Sequence, residues 1–241
     1  MTNVLFLSKA KKFQKFRLKI SSPEITYNDI ESWISDAIKR KVQNLEFLNM
    51  YRTIALPKKL FTSKTLVILR LYGAFLNVPR SVRLHSLKIL ELHGVEFEKE
   101  DSLQKLICGC PVLEELDIMR CARDLSEVVN VSVPTLRRLK VDFDVDSDYN
   151  SCFEHDDRHC KFVVDAPQLE HLDIKNYVAG KHLFRNLSSL SKASLLVQPN
   201  RFIDYGPRMY KLLSGIPNVK YLDAFCLHYT TIIKFCMTLN W

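Results

Sequence analysis

Apolar residues return along this chain in one short frame: an apolar residue, two positions of any kind, a second apolar residue, one position, a third. Residues 110–121, CPVLEELDIMRC, show it most clearly, with Leu113, Leu116 and Ile118 in the three places. The frame also fits Leu45/Leu48/Met50, Leu66/Leu69/Leu71, Leu87/Leu90/Leu92, Leu136/Leu139/Val141, Leu169/Leu172/Ile174, Leu190/Ala193/Leu195 and Val219/Leu222/Ala224, with Phe13/Phe16/Leu18 as a further copy upstream. From Leu45 onward the first apolar positions lie 21, 21, 26, 23, 33, 21 and 29 residues apart. One copy of such a frame is also half a helix face and decides nothing, whereas recurrence at this period marks a repeat architecture. A second marker keeps the same phase: Pro111, Pro134, Pro167 and Pro217 each stand two residues before the first apolar position. Proline fixes φ and lacks an N–H, so it suits the turn leading into a strand and not the strand's middle.

The last two apolar positions of each copy alternate with other residues, which predicts a short strand with one face in a core. Some linkers carry helical spacing instead. Residues 29–41, DIESWISDAIKRK, place Ile30, Trp33, Ile34, Ala37 and Ile38 on one helix face, with acids early and bases late as the helix dipole favours. Residues 100–108 carry Leu103, Leu106 and Ile107 ahead of Gly109 and Pro111, and residues 205–214 end likewise in Gly215 and Pro217. Strand, turn and linker repeated every roughly 20–29 residues is the pattern of leucine-rich repeats. The expected fold is an α/β leucine-rich-repeat solenoid, a horseshoe with a concave parallel β-sheet and convex helices and loops. Residues 1–241 are expected to form a single domain of about nine repeats, its first strand near residues 13–20, because no Gly/Ser/Pro-rich linker interrupts the frame. The longest interval is filled by an acidic insertion at 142–160. Residues 226–241, CLHYTTIIKFCMTLNW, form an atypical apolar tail with one lysine and no acid, unlike the polar cap a solenoid needs, so this end is expected to leave core exposed and to promote association.

A chain of 241 residues with 47% hydrophobic positions can bury a continuous core. The seven cysteines are odd in number and scattered, and Val4 to Leu7 is too short an apolar run for a secretory leader. No 18-residue apolar span exists, so no membrane association is expected, and a reduced, intracellular setting in cytoplasm or nucleus is the expectation. Cys110 and Cys121 fit as small buried hydrophobes of the repeat. Charge is uneven: residues 1–100 hold 18 Lys/Arg against 9 Asp/Glu, residues 101–241 hold 17 against 18.

Five segments resemble plant F-box proteins that carry leucine-rich repeats and often a C-terminal FBD domain: FRLKI at 16–20, WISDAIKRKVQNLEF at 33–47, LPKKLFTSKTLVILRL at 56–71, SLKILELHGVEF at 86–97 and CPVLEEL at 110–116. The resemblance implies a protein-interaction module like the substrate-recognition repeats of an F-box subunit of a cullin-type ubiquitin ligase. In that family the N-terminal F-box docks on the Skp adaptor, and the repeats hold the protein to be ubiquitinated. The chain is expected to hold the repeats alone, so Skp adaptor and cullin become partners only where an F-box is supplied, and the target protein is unknown.

Strand alternation assigns the recognition face. With the frame residues inward, the residues two, four and six places after each first apolar position point outward. The candidate partner-binding residues are Phe47, Asn49, Tyr51, Arg70, Tyr72, Glu91, His93, Glu115, Asp117, Met119, Arg138, Lys140, His171, Asp173 and Lys175. Tyr and Phe beside Arg are the residue types of interface hot spots. Lys15, Arg17, Lys19 and Arg70 form a weaker candidate for a polyanion: wider F-box repeat receptors hold an inositol polyphosphate on a basic floor, and these residues are the analogous positions. A solvated basic edge is the favoured account of them, and nucleic acid is not expected because no nucleic-acid module accompanies them. Cys152, His155, His159 and Cys160 in the insertion offer thiolates and imidazoles, but their spacing matches no zinc pattern, so no metal and no cofactor are expected. With six glycines, no G-x-G-x-x-G, P-loop or G-x-S-x-G and no recognisable nucleophile context, no catalytic residue is assigned and the chain is not expected to be an enzyme.

Overall fold

Each copy of the frame becomes a parallel strand because its alternating leucines can be buried only if the next copy stacks on it at the same height. The computed structural model describes residues 12–22, 24–50, 54–119, 128–142, 161–175, 182–197, 210, 212–228 and 231–238. It divides into two units, residues 1–113 and 114–241.

In the first unit, β1 (Lys15–Ile20) is followed by helix α1 (Tyr27–Lys39), β2 (Asn44–Asn49), β3 (Ile54–Ala55), a 3₁₀ turn (Lys58–Thr62), β4 (Ile68–Tyr72), β5 (Ala74–Leu76), β6 (Ile89–His93), β7 (Glu96–Phe97) and helix α2 (Ser102–Cys108). The main sheet runs β1-β2-β4-β6, all parallel, with Leu45 beside Leu69 and Leu69 beside Leu90. A second parallel sheet, β3-β5-β7, forms from the linkers. In the second unit, β8 (Glu115–Met119), β10 (Arg138–Asp142), β12 (His171–Lys175), β14 (Lys192–Val197) and β15 (Tyr221–His228) form the main parallel sheet. Strands β9 (Val128–Ser132), β11 (Lys161–Asp165) and β13 (His182–Arg185) form its second sheet, and β16 (Thr231–Thr238) follows β15. The linkers thus carry parallel strands as well as the helices and loops expected. Val129, Val131, Phe162 and Val164 alternate into the core as Leu139 and Leu172 do from the opposite sheet, so the same period-two signal runs on both sides of each repeat.

The core follows the frame. Leu66, Leu69, Leu90, Leu113, Leu136 and Leu169 are fully excluded from solvent, and the four marker prolines enter turns that end at the first frame residue. In those turns the N–H groups of Leu113, Leu136, Leu169 and Val219 donate to the carbonyls of Cys110, Val133, Ala166 and Ile216. Each proline is the second residue of its turn, where a fixed φ is favourable and no N–H is needed. Cys110 is buried, its thiol donating to the Leu106 carbonyl at 3.2 Å, and burial pushes its pKa up to about 12, as befits a small hydrophobe. Cys121 and the insertion at 143–160, with its Cys152, His155, His159 and Cys160, lie outside the described residues.

Helix α1 begins in a capping box: the Asp29 N–H donates to Thr26 Oγ1 at 3.3 Å while the Thr26 N–H donates to Asp29 Oδ2 at 3.1 Å. Ile30, Ile34 and Ala37 are fully buried, as their spacing predicts. Gly73 follows β4 with φ of +68°, and a Cβ there would strike the Asn49 carbonyl oxygen, so two separate constraints exclude any other residue.

One repeat is phased differently from the frame given above. Leu45, Phe47 and Asn49 are buried, while Met50 is 83% exposed and Leu48 is half-exposed. The inward series is therefore Val42/Leu45/Phe47, and Phe47 and Asn49 leave the recognition face for the core. The stretch LEFLNM has apolar residues in both phases, so two frames fit it equally. Pairing decides: Phe47 stands in register with Leu18 on one side and Leu71 on the other. Tyr51 lies outside the described residues. At the far end, β16 folds back antiparallel on β15, from Tyr221 beside Thr238 to His228 beside Thr231. The apolar tail therefore supplies backbone pairing to the last parallel strand, where its composition alone suggests an uncovered end.

The corrected phase sets an expected outcome. Phe47→Ala should cost about 3–5 kcal/mol, the range for a buried aromatic, and Met50→Ala about 0.5 kcal/mol or less, as at surface sites. Urea melts of the two variants check this, and equal losses would mean that the phase of β2 is wrong.

Candidate recognition face

Parallel pairing turns the outward residues of each main sheet into rows that run across the strands, so each side chain's neighbour is set by register and not by sequence distance. In the first unit the middle row is Arg17, Glu46, Arg70, Glu91, one residue per strand with charge alternating. Arg17 Nε lies 3.3 Å and Lys15 Nζ 3.9 Å from the Glu46 carboxylate. Glu91 is held by two groups of β4: Arg70 Nε donates to Oε1 at 2.7 Å and Tyr72 OH to Oε2 at 2.8 Å. The next row is Lys19, Leu48, Tyr72, His93, in which the Tyr72 and His93 rings meet edge to face at 4.9 Å. Arg70, Tyr72, Glu91 and His93, all half-buried, thus form one connected network, as the sequence frame places them.

Burial, then the hydrogen bond to Glu91 and its charge, push the Tyr72 phenol up to about 12 despite the opposing Arg70 guanidinium. Such a network holds its side chains in one geometry before any partner arrives, which lowers the entropy cost of binding. Of the four candidate polyanion residues, Lys15, Arg17 and Arg70 are each engaged with a glutamate of the same face. Those glutamates oppose a polyphosphate; the alternation places Glu91 on the face, but the phase assigned to LEFLNM leaves Glu46 off it.

In the second unit the three outward rows are Glu115, Arg138, His171, Lys192, Tyr221, then Asp117, Lys140, Asp173, Ser194, Asp223, then Met119, Asp142, Lys175, Leu196, Phe225. Every candidate residue of this unit falls in these rows where the alternation places it. Lys140 Nζ lies 2.8 Å from Asp117 Oδ2, and Arg138 lies 3.4 Å from Glu115. Burial works to lower the Lys140 pKa, but the Asp117 hydrogen bond and the charges of Asp117, Asp173 and Asp142 outweigh it, so the ammonium is held above its ordinary value. The Asp173 carboxyl is raised, mainly by burial, against the charges of Lys175 and Lys140 and a hydrogen bond with Ser194. Its Oδ1 and the Nδ1 of His171 are buried and meet no hydrogen-bond partner among the described residues. The residues missed at the sequence level are Asn44, Glu46 and Leu48, hidden by the wrong phase, and Tyr221, Asp223 and Phe225, which the same two-four-six rule applied to the Val219 copy would have found.

Away from this face, Phe184, Leu190, Ile216 and Pro217, with Asn186, Ser188 and Asn218, border a notch of about 280 Å³ that holds no titratable side chain among the described residues. No helix among the described residues is long and apolar enough to cross a membrane.

Residues 30–194 match the family model described as FBD-associated F-box protein At5g56370, LRR repeats. The chain is similar to the F-box protein At4g09920 of Arabidopsis thaliana, at 32% identity over 94% of this chain and 69% of that protein. It is also similar to two further Arabidopsis thaliana proteins. One is the FBD-associated F-box protein At4g10400, at 33% identity over 90% of this chain and 49% of the relative. The other is the F-box/FBD/LRR-repeat protein At4g26340, at 40% identity over 63% of this chain and 35% of the relative. The chain thus spans about two thirds of the first relative and half or less of the other two.

The Tyr72 network predicts a titration. A tyrosine with a raised pKa stabilises the fold fully below its unfolded value near 10, and that contribution is lost as pH rises toward the folded value of about 12. In difference spectra at the phenolate band, Tyr72→Phe should remove an ionisation step near 12, and Glu91→Gln should move that step down toward 10. An unchanged high-pH step in Tyr72→Phe would refute the network.

Proposed function

The chain belongs to the leucine-rich-repeat family of FBD-associated F-box proteins, and from that premise we propose that its sheet face recognises a protein target for a cullin-type ubiquitin ligase. The observation that carries this reading is the row structure of the face: half-buried Arg, Tyr and His side chains fixed by cross-strand pairs, the residue types and the rigidity of protein-docking hot spots. The module works by binding and not by catalysis: it presents a target while the F-box named in its relatives joins the Skp adaptor and cullin, in cytoplasm or nucleus. A polyphosphate on Lys15, Arg17, Lys19 and Arg70 is the weaker reading, because three of the four are already paired with Glu46 or Glu91.

Affinity capture from plant cells tests the reading. Proteins retained by the tagged chain should be lost with Arg70→Ala/Tyr72→Ala and kept with Lys59→Ala, on the 3₁₀ turn away from the face. Loss of the same proteins with Lys59→Ala alone would move the docking surface off the sheet. Recombinant residues 1–241 should not retain the Skp adaptor at micromolar concentration; retention would place an adaptor site within the repeats.

A further inference from the structure

The middle row of the second unit is not balanced in the way its counterpart is. It reads Asp117, Lys140, Asp173, Ser194, Asp223, three carboxylates to one ammonium, and Lys140 is bonded to Asp117. Asp173 has a buried carboxylate oxygen that meets no donor among the described residues. Asp223, half-buried two strands away, enters no ion pair among the described residues. Lys175 acts on Asp173 through its charge but closes no ion pair with it among the described residues.

The spacing is informative. Asp173 and Asp223 both stand in register with Ser194, which puts their backbones about 10 Å apart across two strand intervals. That span suits one planar guanidinium with a carboxylate at each end, since its five donors form a rigid fork and a single ammonium is too compact to bridge. Aromatic surface flanks the same spot: Tyr221, 57% exposed, and Phe225 stand two residues either side of Asp223 on the same face of β15. Arginine binds carboxylate and aromatic face together, through charge-assisted hydrogen bonds and cation–π contact.

We infer that the Asp173–Ser194–Asp223 row, with Tyr221 and Phe225, is a seat for an arginine side chain of the docked protein. This rests on reading the sheet face as a protein-docking surface and names the chemistry of its occupant: a segment whose anchor is arginine, delivered to the β12-β14-β15 part of the face.

Selection of a random displayed-peptide library on the full 241-residue chain tests it. The expected winners carry an arginine at a common position. For a synthetic winner, replacing that arginine by citrulline, which keeps the shape and removes the charge, should weaken binding on the order of tenfold or more, the scale of one charge-assisted pair. Asp223→Asn should cause a similar loss, and combining the two changes should add little further, whereas Lys59→Ala, on the 3₁₀ turn away from the face, should leave affinity unchanged. The citrulline comparison uses the unaltered chain, so it stands whatever the substitutions do to folding. Winners without arginine that still lose affinity on Tyr221→Ala or Asp223→Asn would overturn the arginine seat and leave the docking face intact. Winners indifferent to every face substitution, or no enrichment over a blank support, would overturn both.

Discussion

Parallel stacking in register is the constraint on which the rest of this structure depends. In the first unit Leu69 and Leu71 can be buried only if Leu90 and Leu92 arrive at the same height on the next strand, and within the second unit the same holds for Leu139 and Val141 against Leu172 and Ile174. A slip of one residue would turn each apolar pair toward water and each outward row toward the core. Because the inward positions are held so tightly, the outward ones are too. A residue such as Arg70 meets Glu91 because Leu69 meets Leu90, not through any property of its own loop. The recognition rows are the reverse side of the core.

The same constraint explains why the two faces differ in chemistry while sharing a geometry. In the first unit, neighbours across the strands are opposite in sign, and Glu91 takes up both donors of β4, which leaves a rigid aromatic and basic surface with its charges largely engaged. In the second unit, one lysine lies among three aspartates, and burial raises the carboxyl of the central one. The first surface gains by rigidity and the second by unmet demand for a donor.

The buried leucines, the proline-led turns and helix α1 were legible in the sequence because each is a local signal. Period two, a fixed φ and a capping residue act over a few positions and need no knowledge of neighbours. That is why Leu113, Leu116 and Ile118, or Pro134 ahead of Leu136, stand where the pattern puts them. Arg70, Tyr72, Glu91 and the outward residues of β8, β10 and β12 were legible for the same reason, as the alternate phase of a strand whose inward phase is unambiguous.

Tertiary structure alone decided what the local signal left degenerate. LEFLNM offers two phases, and only pairing with Leu18 and Leu71 assigns Phe47 to the core and Met50 to solvent. Which charges neutralise one another was equally hidden, because Lys15, Arg17 and Glu46 are separated by a helix and meet only across the β1–β2 pair. The fold-back of β16 on β15 belongs here as well: its residues read as an uncovered apolar end until an antiparallel partner is in place. Sequence by itself determined the period, the core and the fold, since these follow from interactions a few residues long. Register, pairing and the character of the recognition face are interactions between repeats some 20–30 residues apart, and only the folded chain sets those distances.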